Sequence, residues 1–247
     1  MSFTGRCNDD PGAAAAVDGM AISRRKCLGV AAASGVLSLA ALPQAAFAGA
    51  QIEEPLIDSV RTALSSAIHN KAPPVPEFTT TEARLAYLRW LGEMSERLKK
   101  KIADWPSRKE FLQTIWYEAK RSGLDVSLVL GLVQVESNFR KFALSSAGAR
   151  GYMQVMPFWT RVIGDSDSAK LFHMQTNLRF GCVILRHYLD RENGDLYMTL
   201  GRYNGSRGKS PYPNAVFANQ RLWAFNDKDR AAPAAPAPAP PVPASAA

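Results

Sequence analysis

The sequence predicts an all-α domain. Between residues 57 and 225, apolar residues recur at three- and four-residue spacing, which is the periodicity of one helix face. Helix-starting residues such as Asp125 and Asp195 precede these segments, and Gly123, Gly164 and Gly194 stand where helices would end. No stretch alternates apolar and polar residues between turn dipeptides, so the sequence gives no indication of a sheet.

The periodic segments predict eight helices. The first is a peripheral helix, and a proline-rich linker over residues 71–76 follows it. The second is long and amphipathic, with Leu and Met on one face and charged residues on the other. The predicted helices span residues 51–70, 81–102, 108–122, 126–136, 158–163, 177–193, 195–203 and 214–225.

The two ends of the chain predict segments outside the folded domain. Residues 1–48 resemble an export signal: a basic region at Ser23-Arg24-Arg25, a moderately apolar stretch over residues 29–42, and a small-x-small cleavage site that ends at Ala48. The paired arginines are similar to a twin-arginine signal, a Sec-type signal stays open, and Met20 is an alternative start. The apolar stretch is too short to cross a membrane. We therefore expect a periplasmic protein without an integral membrane segment in its mature form.

The remaining chain divides by composition into three parts. Residues 49–121 form a helical N-terminal extension, residues 122–226 contain the motifs described below, and residues 227–247 are an Ala- and Pro-rich tail that we expect to be disordered. A chain of 247 residues with such ends favours one core over two.

Charge and composition exclude several classes of function. The net charge of +8 is spread along the chain, which suits an anionic partner such as nucleic acid or an acidic envelope polymer, and the export signal argues against nucleic acid. The histidines His69, His173 and His187 are scattered, and Cys182 would be the only cysteine after export. We therefore predict no metal site. No phosphate-binding loop or dinucleotide fingerprint is present, so we expect no cofactor.

Glu136 is the candidate catalytic residue. Residues 126–135 read VSLVLGLVQV, which is apolar almost all round and typical of a helix surrounded by protein. Burial and the negative end of the helix dipole both disfavour an ionised carboxyl at the end of this helix. A raised pKa would make Glu136 a general acid near neutral pH. The alternative is a rim position in which Glu136 pairs with Arg140 or Lys141.

Two further motifs follow Glu136-Ser137. Residues 147–157 read AGARGYMQVMP, with glycines that allow the backbone to approach a ligand and Gln154 as both donor and acceptor. Residues 202–205 read RYNG. Each pattern alone is weak evidence, because Asn-Gly is an ordinary turn and a methionine is often a core residue.

Together, in this order and spacing, the three motifs resemble the catalytic domain of the soluble lytic murein transglycosylases, glycoside hydrolase family 23. That family carries Glu-Ser, then Gly-Leu-Met-Gln-x-x-Pro, then Ala-Tyr-Asn-x-Gly. The resemblance runs from about Ser122 to Trp223 and departs from the family at Tyr152 and Arg202. It implies a lysozyme-like helical domain, to which this chain adds N-terminal helices.

The resemblance also implies roles for individual residues. Glu136 looks like the single catalytic acid/base, Met153 and Gln154 look like cleft residues that hold the sugar, and Tyr203 and Asn204 resemble the pair that orients the catalytic carboxyl. The implied substrate-binding residues are Ser137, Tyr152, Met153, Gln154, Tyr203 and Asn204.

The implied reaction needs only one carboxylate. The substrate would be the glycan strands of peptidoglycan, cleaved at the β-1,4 bond between N-acetylmuramic acid (MurNAc) and N-acetylglucosamine (GlcNAc), with a 1,6-anhydro sugar as product. No acidic residue lies between Glu136 and Asp165, which fits such a site. Two alternatives stay open: a goose-type-lysozyme-like hydrolase, in which water attacks, and a non-catalytic glycan-binding envelope protein.

Overall fold

A computed structural model describes residues 51–69 and 76–227. Within these residues the chain forms eight α-helices and one 3-10 helix, Ser168–Phe172, and no β-strand. Two isolated bridges pair Arg150 with Leu144 and with Val155. The all-α prediction is confirmed. The helices are α1 (Asp58–His69), α2 (Thr81–Leu98), α3 (Trp105–Arg121), α4 (Val126–Ser137), α5 (Phe158–Ile163), α6 (Met174–Arg191), α7 (Leu196–Asn204) and α8 (Pro211–Trp223).

Several helices begin at a capping residue or at a proline. Asp125 and Asp195 cap α4 and α7 as predicted, with side-chain oxygens that accept from Leu128 N and Met198 N. Helix α3 begins at Trp105, three residues before its predicted start, because the side chain of Asp104 caps it and Pro106 fits its first turn. Helix α8 likewise begins earlier than predicted, at Pro211.

The N-terminal segment differs most from the prediction. Residues 51–57 are not helical, and α1 begins only at Asp58, because Pro55 lacks an N–H and disfavours the helical conformation of the residue before it. The predicted export signal at residues 1–48 and almost all of the predicted tail at residues 227–247 lie outside the described residues.

Helix α4 lies at the centre of the core. Nearly all of its residues are buried, and it packs most extensively against α8 and also against α3. The two helices approach closely at Gly131, where a Cβ would lie 2.6 Å from the backbone N of Gln220. This contact places the start of α8 beside the end of α4.

Helix α6 holds the other elements together. It packs against α1, α3, α7 and the 3-10 helix, while α2 packs on α3. Arg121 and Arg179 donate to the carbonyl oxygens of Ala67 and Ile68 at the end of α1, so α1 is docked on α3 and α6. In the part of the chain that the structure describes, no helix has both the length and the apolar character needed to cross a membrane.

Candidate active site

Glu136 lies in the last turn of α4 and is 8% exposed. The Tyr212 hydroxyl donates to its Oε1 at 2.5 Å, and its Oε2 is buried without a hydrogen-bond partner in the described structure. Burial raises the pKa of Glu136 to about 8, and the hydrogen bond from Tyr212 acts in the opposite direction. The carboxyl is therefore held as an acid near neutral pH, with one oxygen bonded to Tyr212 and the other buried without a partner in the described structure.

The alternative pairing of Glu136 with Arg140 or Lys141 is not found. The Arg140 guanidinium donates to the backbone oxygen of Ser137, and the Lys141 ammonium lies over the Phe142 ring. No ion pair of Glu136 occurs among the described residues.

The chain reverses immediately after Glu136-Ser137. Asn138 adopts a left-handed conformation with φ of +50° at the C-cap of α4, and Phe139 follows with φ of +64°. The reversal turns the Phe139 ring into the core against Phe111 and Trp223. A left-handed residue at this position is a common helix end, and asparagine tolerates it better than most side chains. The carboxyl of Glu136 is thus carried by the last rigid turn of a buried helix.

Ser137 connects α4 to the loop that follows. Its hydroxyl lies 2.7 Å from the Tyr152 carbonyl oxygen and 3.1 Å from that of Val133, and it is almost completely buried. The Ser137 hydroxyl therefore supports the loop beside Glu136, and this placement does not fit its implied role as a substrate-binding residue.

The Tyr152 ring is buried, and its centroid lies 4.9 Å from that of Phe111. It also lines a cavity of about 330 Å³ together with Glu110, Lys141 and His173. Burial and the charge of Glu110 raise its pKa to about 12.

Met153 has no exposed surface. Its side chain lies over Gly181 of α6, where a Cβ would come within 2.3 Å of the sulfur. Its backbone N–H donates to Asn177 Oδ1, and its carbonyl oxygen accepts from the Tyr203 hydroxyl, both at 2.8 Å. The predicted role of Met153 as a cleft residue that holds the sugar does not fit this placement, because a side chain without exposed surface anchors the loop instead.

Gln154 is also buried, with a left-handed φ of +47°. Its side-chain amide donates to the carbonyl oxygens of Gly151 at 2.9 Å and Ala143 at 3.2 Å. These bonds join the two limbs of the loop between α4 and α5. The donors of Gln154 are therefore used within the loop.

Tyr203 and Asn204 end α7 near the same loop. Tyr203 is fully buried and donates to Met153, so it does not make the contact to Glu136 that its predicted orienting role requires. Tyr212 makes that contact instead. The charge of Glu136 raises the pKa of both tyrosines, in addition to the larger effect of burial. Asn204 is buried, and its Nδ2 has no hydrogen-bond partner in the described structure.

Sequence reasoning missed two residues of this site. Tyr212 lies before the predicted start of the last helix at residue 214, although its spacing from Val216 and a proline at residue 211 fit a helix that begins earlier, as α8 does. Asn177 is completely buried at the start of α6, and its amide donates to the carbonyl oxygens of Arg150 and Leu171. No local pattern separates such an asparagine from an ordinary one.

In the described residues, no group of three or more His, Cys, Asp and Glu side chains converges in a way that could hold a metal ion. Cys182 is a buried free thiol in the middle of α6. The chemistry available at the site is thus that of one carboxyl with its tyrosine and amide neighbours.

Comparison with known proteins identifies the domain. Residues 113–220 match the family model described as "Transglycosylase SLT domain". We refer to the matched residues 113–220 as the SLT domain. The match includes α4, the loop with Met153 and Gln154, and most of α8, and it confirms the resemblance noted from the three motifs. It begins inside α3, so residues 51–57, α1 and α2 lie outside the SLT domain.

Relatives with curated names agree with this family. The chain is 34% identical over 133 residues to membrane-bound lytic murein transglycosylase C of Haemophilus ducreyi, a match that covers 48% of this chain and 35% of the relative. It is 31% identical over 133 residues to the transglycosylase of Enterobacteria phage PRD1, which covers 51% of this chain and 49% of the relative. The chain thus spans between about a third and half of the length of these relatives.

Among solved structures, an X-ray structure of an inactive mutant of the lytic transglycosylase Slt from Pseudomonas aeruginosa overlaps 57% of this chain and 29% of that chain. The TM-score is 0.41 and the sequence identity is 22%.

Proposed function

We propose that this protein is a peptidoglycan lytic transglycosylase that cleaves the β-1,4 bond between MurNAc and GlcNAc and forms 1,6-anhydro-MurNAc. The observation that carries the proposal is the Glu136 carboxyl within an SLT domain: it is buried, it has a pKa of about 8, and one of its oxygens is held by Tyr212. Relatives named as lytic murein transglycosylases support the same activity.

In the first step, protonated Glu136 donates its proton to the glycosidic oxygen as the bond from that oxygen to C1 of MurNAc breaks. The GlcNAc side leaves as an alcohol, and the acetamido carbonyl of the same MurNAc stabilises the positive centre at C1. A carboxyl with a pKa of about 8 is protonated at neutral pH and can supply this proton.

In the second step, the Glu136 carboxylate accepts the proton of the MurNAc C6 hydroxyl while that oxygen bonds to C1. The acid is thereby regenerated, and no water is consumed. The nucleophile is tethered to the reacting ring, which favours its attack over that of a separate molecule. Ordinary glycosidases use a second carboxylate for this task. The pKa of Glu136 is set by burial and by Tyr212, without the influence of another carboxylate.

The neighbouring residues receive roles within this proposal. Asn204, whose buried Nδ2 has no partner in the described structure, is the candidate donor to a substrate oxygen. Ser137 and Gln154 hold the loop beside Glu136, and Tyr203 holds its Met153 carbonyl. Tyr152 is the candidate contact from the side cavity.

The proposed setting is the cell envelope. The substrate would be peptidoglycan strands and not nucleic acid. The name of one relative, membrane-bound lytic murein transglycosylase C, refers to murein. We propose export to the periplasm by the signal-like segment 1–48, followed by its removal. The proposed catalytic unit is residues 122–226, with residues 49–121 as a helical extension and residues 227–247 as a tail.

Mass spectrometry of the soluble products from bacterial sacculi tests the activity. The chain from residue 49 should release muropeptides about 18 Da lighter than hydrolysed ones, because no water is added, and Glu136→Gln should release none. Reducing-end products would instead establish the hydrolase alternative. Binding of sacculi without any product from either protein would establish the glycan-binding alternative.

A further inference from the structure

The described residues that follow α8 run along the side of α2. The carbonyl oxygens of Leu222 and Ala224 accept from the Arg97 guanidinium at 2.8 and 3.0 Å. A few residues later, the Asp227 carboxylate accepts two hydrogen bonds from Arg89, at 2.5 and 2.7 Å. Arg97 lies in the last turn of α2, and Arg89 lies closer to the start of the helix. The chain therefore leaves α8 and follows α2 toward the N-terminal end of α2.

The direction of this segment leads to two leucines of α2. Residues four apart form a ridge along the surface of a helix. Arg97 and Arg89 belong to one such ridge, and Leu85 is its next member toward the start of α2. Leu88 lies beside it on the neighbouring ridge, because residues three apart are also neighbours on a helix surface. A chain that continues past Arg89 in the same direction thus meets Leu85 and Leu88.

These leucines begin an apolar surface at the N-terminal end of α2. Leu85 and Leu88 are 47% and 48% exposed. A cavity of about 340 Å³ adjoins them and is lined by Pro76, Phe78, Arg84, Tyr87 and Leu88. The ring centroids of Phe78 and Tyr87 lie 5.0 Å apart, and both rings pack against Trp116. We name Leu85, Leu88 and this cavity the α2 surface. It is apolar, lined in part by aromatic rings and open to a ligand.

The composition of the following segment suits such a surface. The sequence continues from residue 228 to residue 247, and from residue 231 onward it contains only Ala and Pro apart from Val242 and Ser245. Proline-rich segments favour the polyproline II conformation, which binds to grooves lined by aromatic side chains. At about 3.1 Å per residue in that conformation, five residues span about 15 Å, more than the roughly 10–12 Å diameter of a helix. Residues that follow Asp227 can therefore reach the cavity across α2.

We propose that residues 231–240 dock on the α2 surface of their own chain. The bond between Asp227 and Arg89 holds the start of this segment beside its site, and a short tether gives an effective concentration on the order of 1 mM, so weak apolar contacts suffice. Since α2 lies outside the SLT domain, the tail joins the N-terminal helices. The proposal is independent of the proposed function, and it replaces the expectation of a disordered tail.

Backbone order parameters from ¹⁵N relaxation of the chain from residue 49 test the docking. The amides of Ala234, Ala235 and Ala237 should give values near 0.85, as in rigid backbone, and values below about 0.6, as in flexible segments, in Leu88→Asp. The matched control is Leu144→Asp, which charges a leucine that is 65% exposed in the loop between α4 and α5 and should keep the wild-type values. Values below about 0.6 in wild type, or equal values in wild type and Leu88→Asp, would overturn the proposal.

Two further measurements keep the result independent of the fold of α2. The double variant Pro233→Ser, Pro236→Ser changes only the tail and should also lower the order of its alanine amides, because serine does not favour polyproline II as proline does. Unchanged order in this variant would contradict the docking of a proline-rich segment. The second measurement is dilution by about tenfold, which weakens binding between molecules but not within one. Tail order that disappears on dilution would assign the α2 surface to the tail of a second copy and overturn docking within one chain.

Discussion

At the scale of single residues, Glu136 and Tyr212 form the hydrogen-bonded pair on which the proposed chemistry depends. The tyrosine stabilises the carboxylate form, whereas burial favours the neutral acid, and burial prevails. A residue that must first give and then accept a proton benefits from such a balance, since its pKa then lies near the working pH. The contact holds Oε1, so Oε2 is the carboxyl oxygen without a hydrogen-bond partner in the described structure.

We predict that activity declines as the pH rises through about 8, because the general acid is then ionised. In Tyr212→Phe the carboxylate loses its hydrogen bond, so the pKa of Glu136 rises further and the alkaline decline moves to higher pH. The same variant should lose about tenfold or more in kcat, because the carboxyl is no longer oriented. Rates of product release measured from pH 5 to pH 10 provide the check, and a decline at lower pH than in wild type would contradict it.

Glu136 should also make stability depend on pH. Its pKa is higher in the folded protein than in the unfolded chain, so folding takes up a proton between about pH 4.5 and pH 8. The contribution of Glu136 to the stability of wild type is therefore greatest below that window and is lost as the pH rises through it. Glu136→Gln lacks this dependence. At about 1.4 kcal/mol for each pKa unit, the variant should gain several kcal/mol relative to wild type between pH 4 and pH 9.

Urea unfolding of both proteins at four or five pH values across this range measures the difference. Parallel stability curves for wild type and Glu136→Gln would show that the carboxyl is hydrated and that its pKa is ordinary.

At the scale of elements, the contact between α4 and α8 determines the site. Glu136 comes from the end of one helix and Tyr212 from the start of the other, 76 residues later. The two helices can approach because residue 131 has no side chain, and the α8 backbone at Gln220 and Val216 fills the space. Trp223 adds a hydrogen bond from its Nε1 to Gln134 at 2.6 Å. The spacing of these helices therefore controls the distance between acid and tyrosine.

Gly131→Ala tests this contact. The new Cβ would lie 2.6 Å from Gln220 N and 3.0 Å from Val216 O, and backbone atoms can give way only if α8 moves. We expect a loss of about 1 to 3 kcal/mol in unfolding free energy together with reduced activity. Gly92→Ala is the matched control: it is exposed in α2, has no atom within 4 Å of the new Cβ, and should stabilise by up to about 1 kcal/mol through helix propensity. Equal melting temperatures for the two variants would argue against close packing at Gly131.

At the scale of the whole molecule, a buried charged cluster joins the N-terminal helix to the SLT domain. Glu118 of α3 accepts from Arg179 of α6 at 2.9 Å and lies 3.3 Å from Arg121. Both arginines also donate to carbonyl oxygens at the end of α1. One acidic residue thus connects α1, α3 and α6 through its two arginines.

Glu118→Gln should destabilise the protein by about 3 kcal/mol, because two arginines then lose their anionic partner in a buried setting. Hydrogen exchange should rise first in α1, whose C-terminal carbonyl groups depend on those arginines. The control is Asp58→Asn, which breaks the exposed pair with Arg61 and should change stability by at most about 0.5 kcal/mol. A similar small change in both variants would mean that α1 is docked by apolar contacts alone.

Local sequence information was sufficient to predict most of the helices and to indicate Glu136 as the candidate acid. Helical periodicity and capping residues depend on neighbours within one or two turns, so α4 through α7 were predicted within a few residues of their bounds. An apolar helix that ends in a carboxyl is itself a local pattern, and burial of that helix is enough to raise the pKa of Glu136. The prolines at residues 55, 106 and 211 moved three helix starts, because their effect on the backbone competes with periodicity.

The partners of Glu136 depend on contacts between residues far apart in sequence. Tyr212 donates to the carboxyl that Tyr203 was expected to orient, and Met153 packs against Gly181 instead of facing the cleft. Each of these follows from how closely two helices approach or where a loop packs. Such distances are set by packing over the whole core, and no periodicity or motif in the chain encodes them. The sequence alone therefore indicated Glu136 as the candidate acid. Its hydrogen-bond partner, Tyr212, is determined by the packing of α4 against α8.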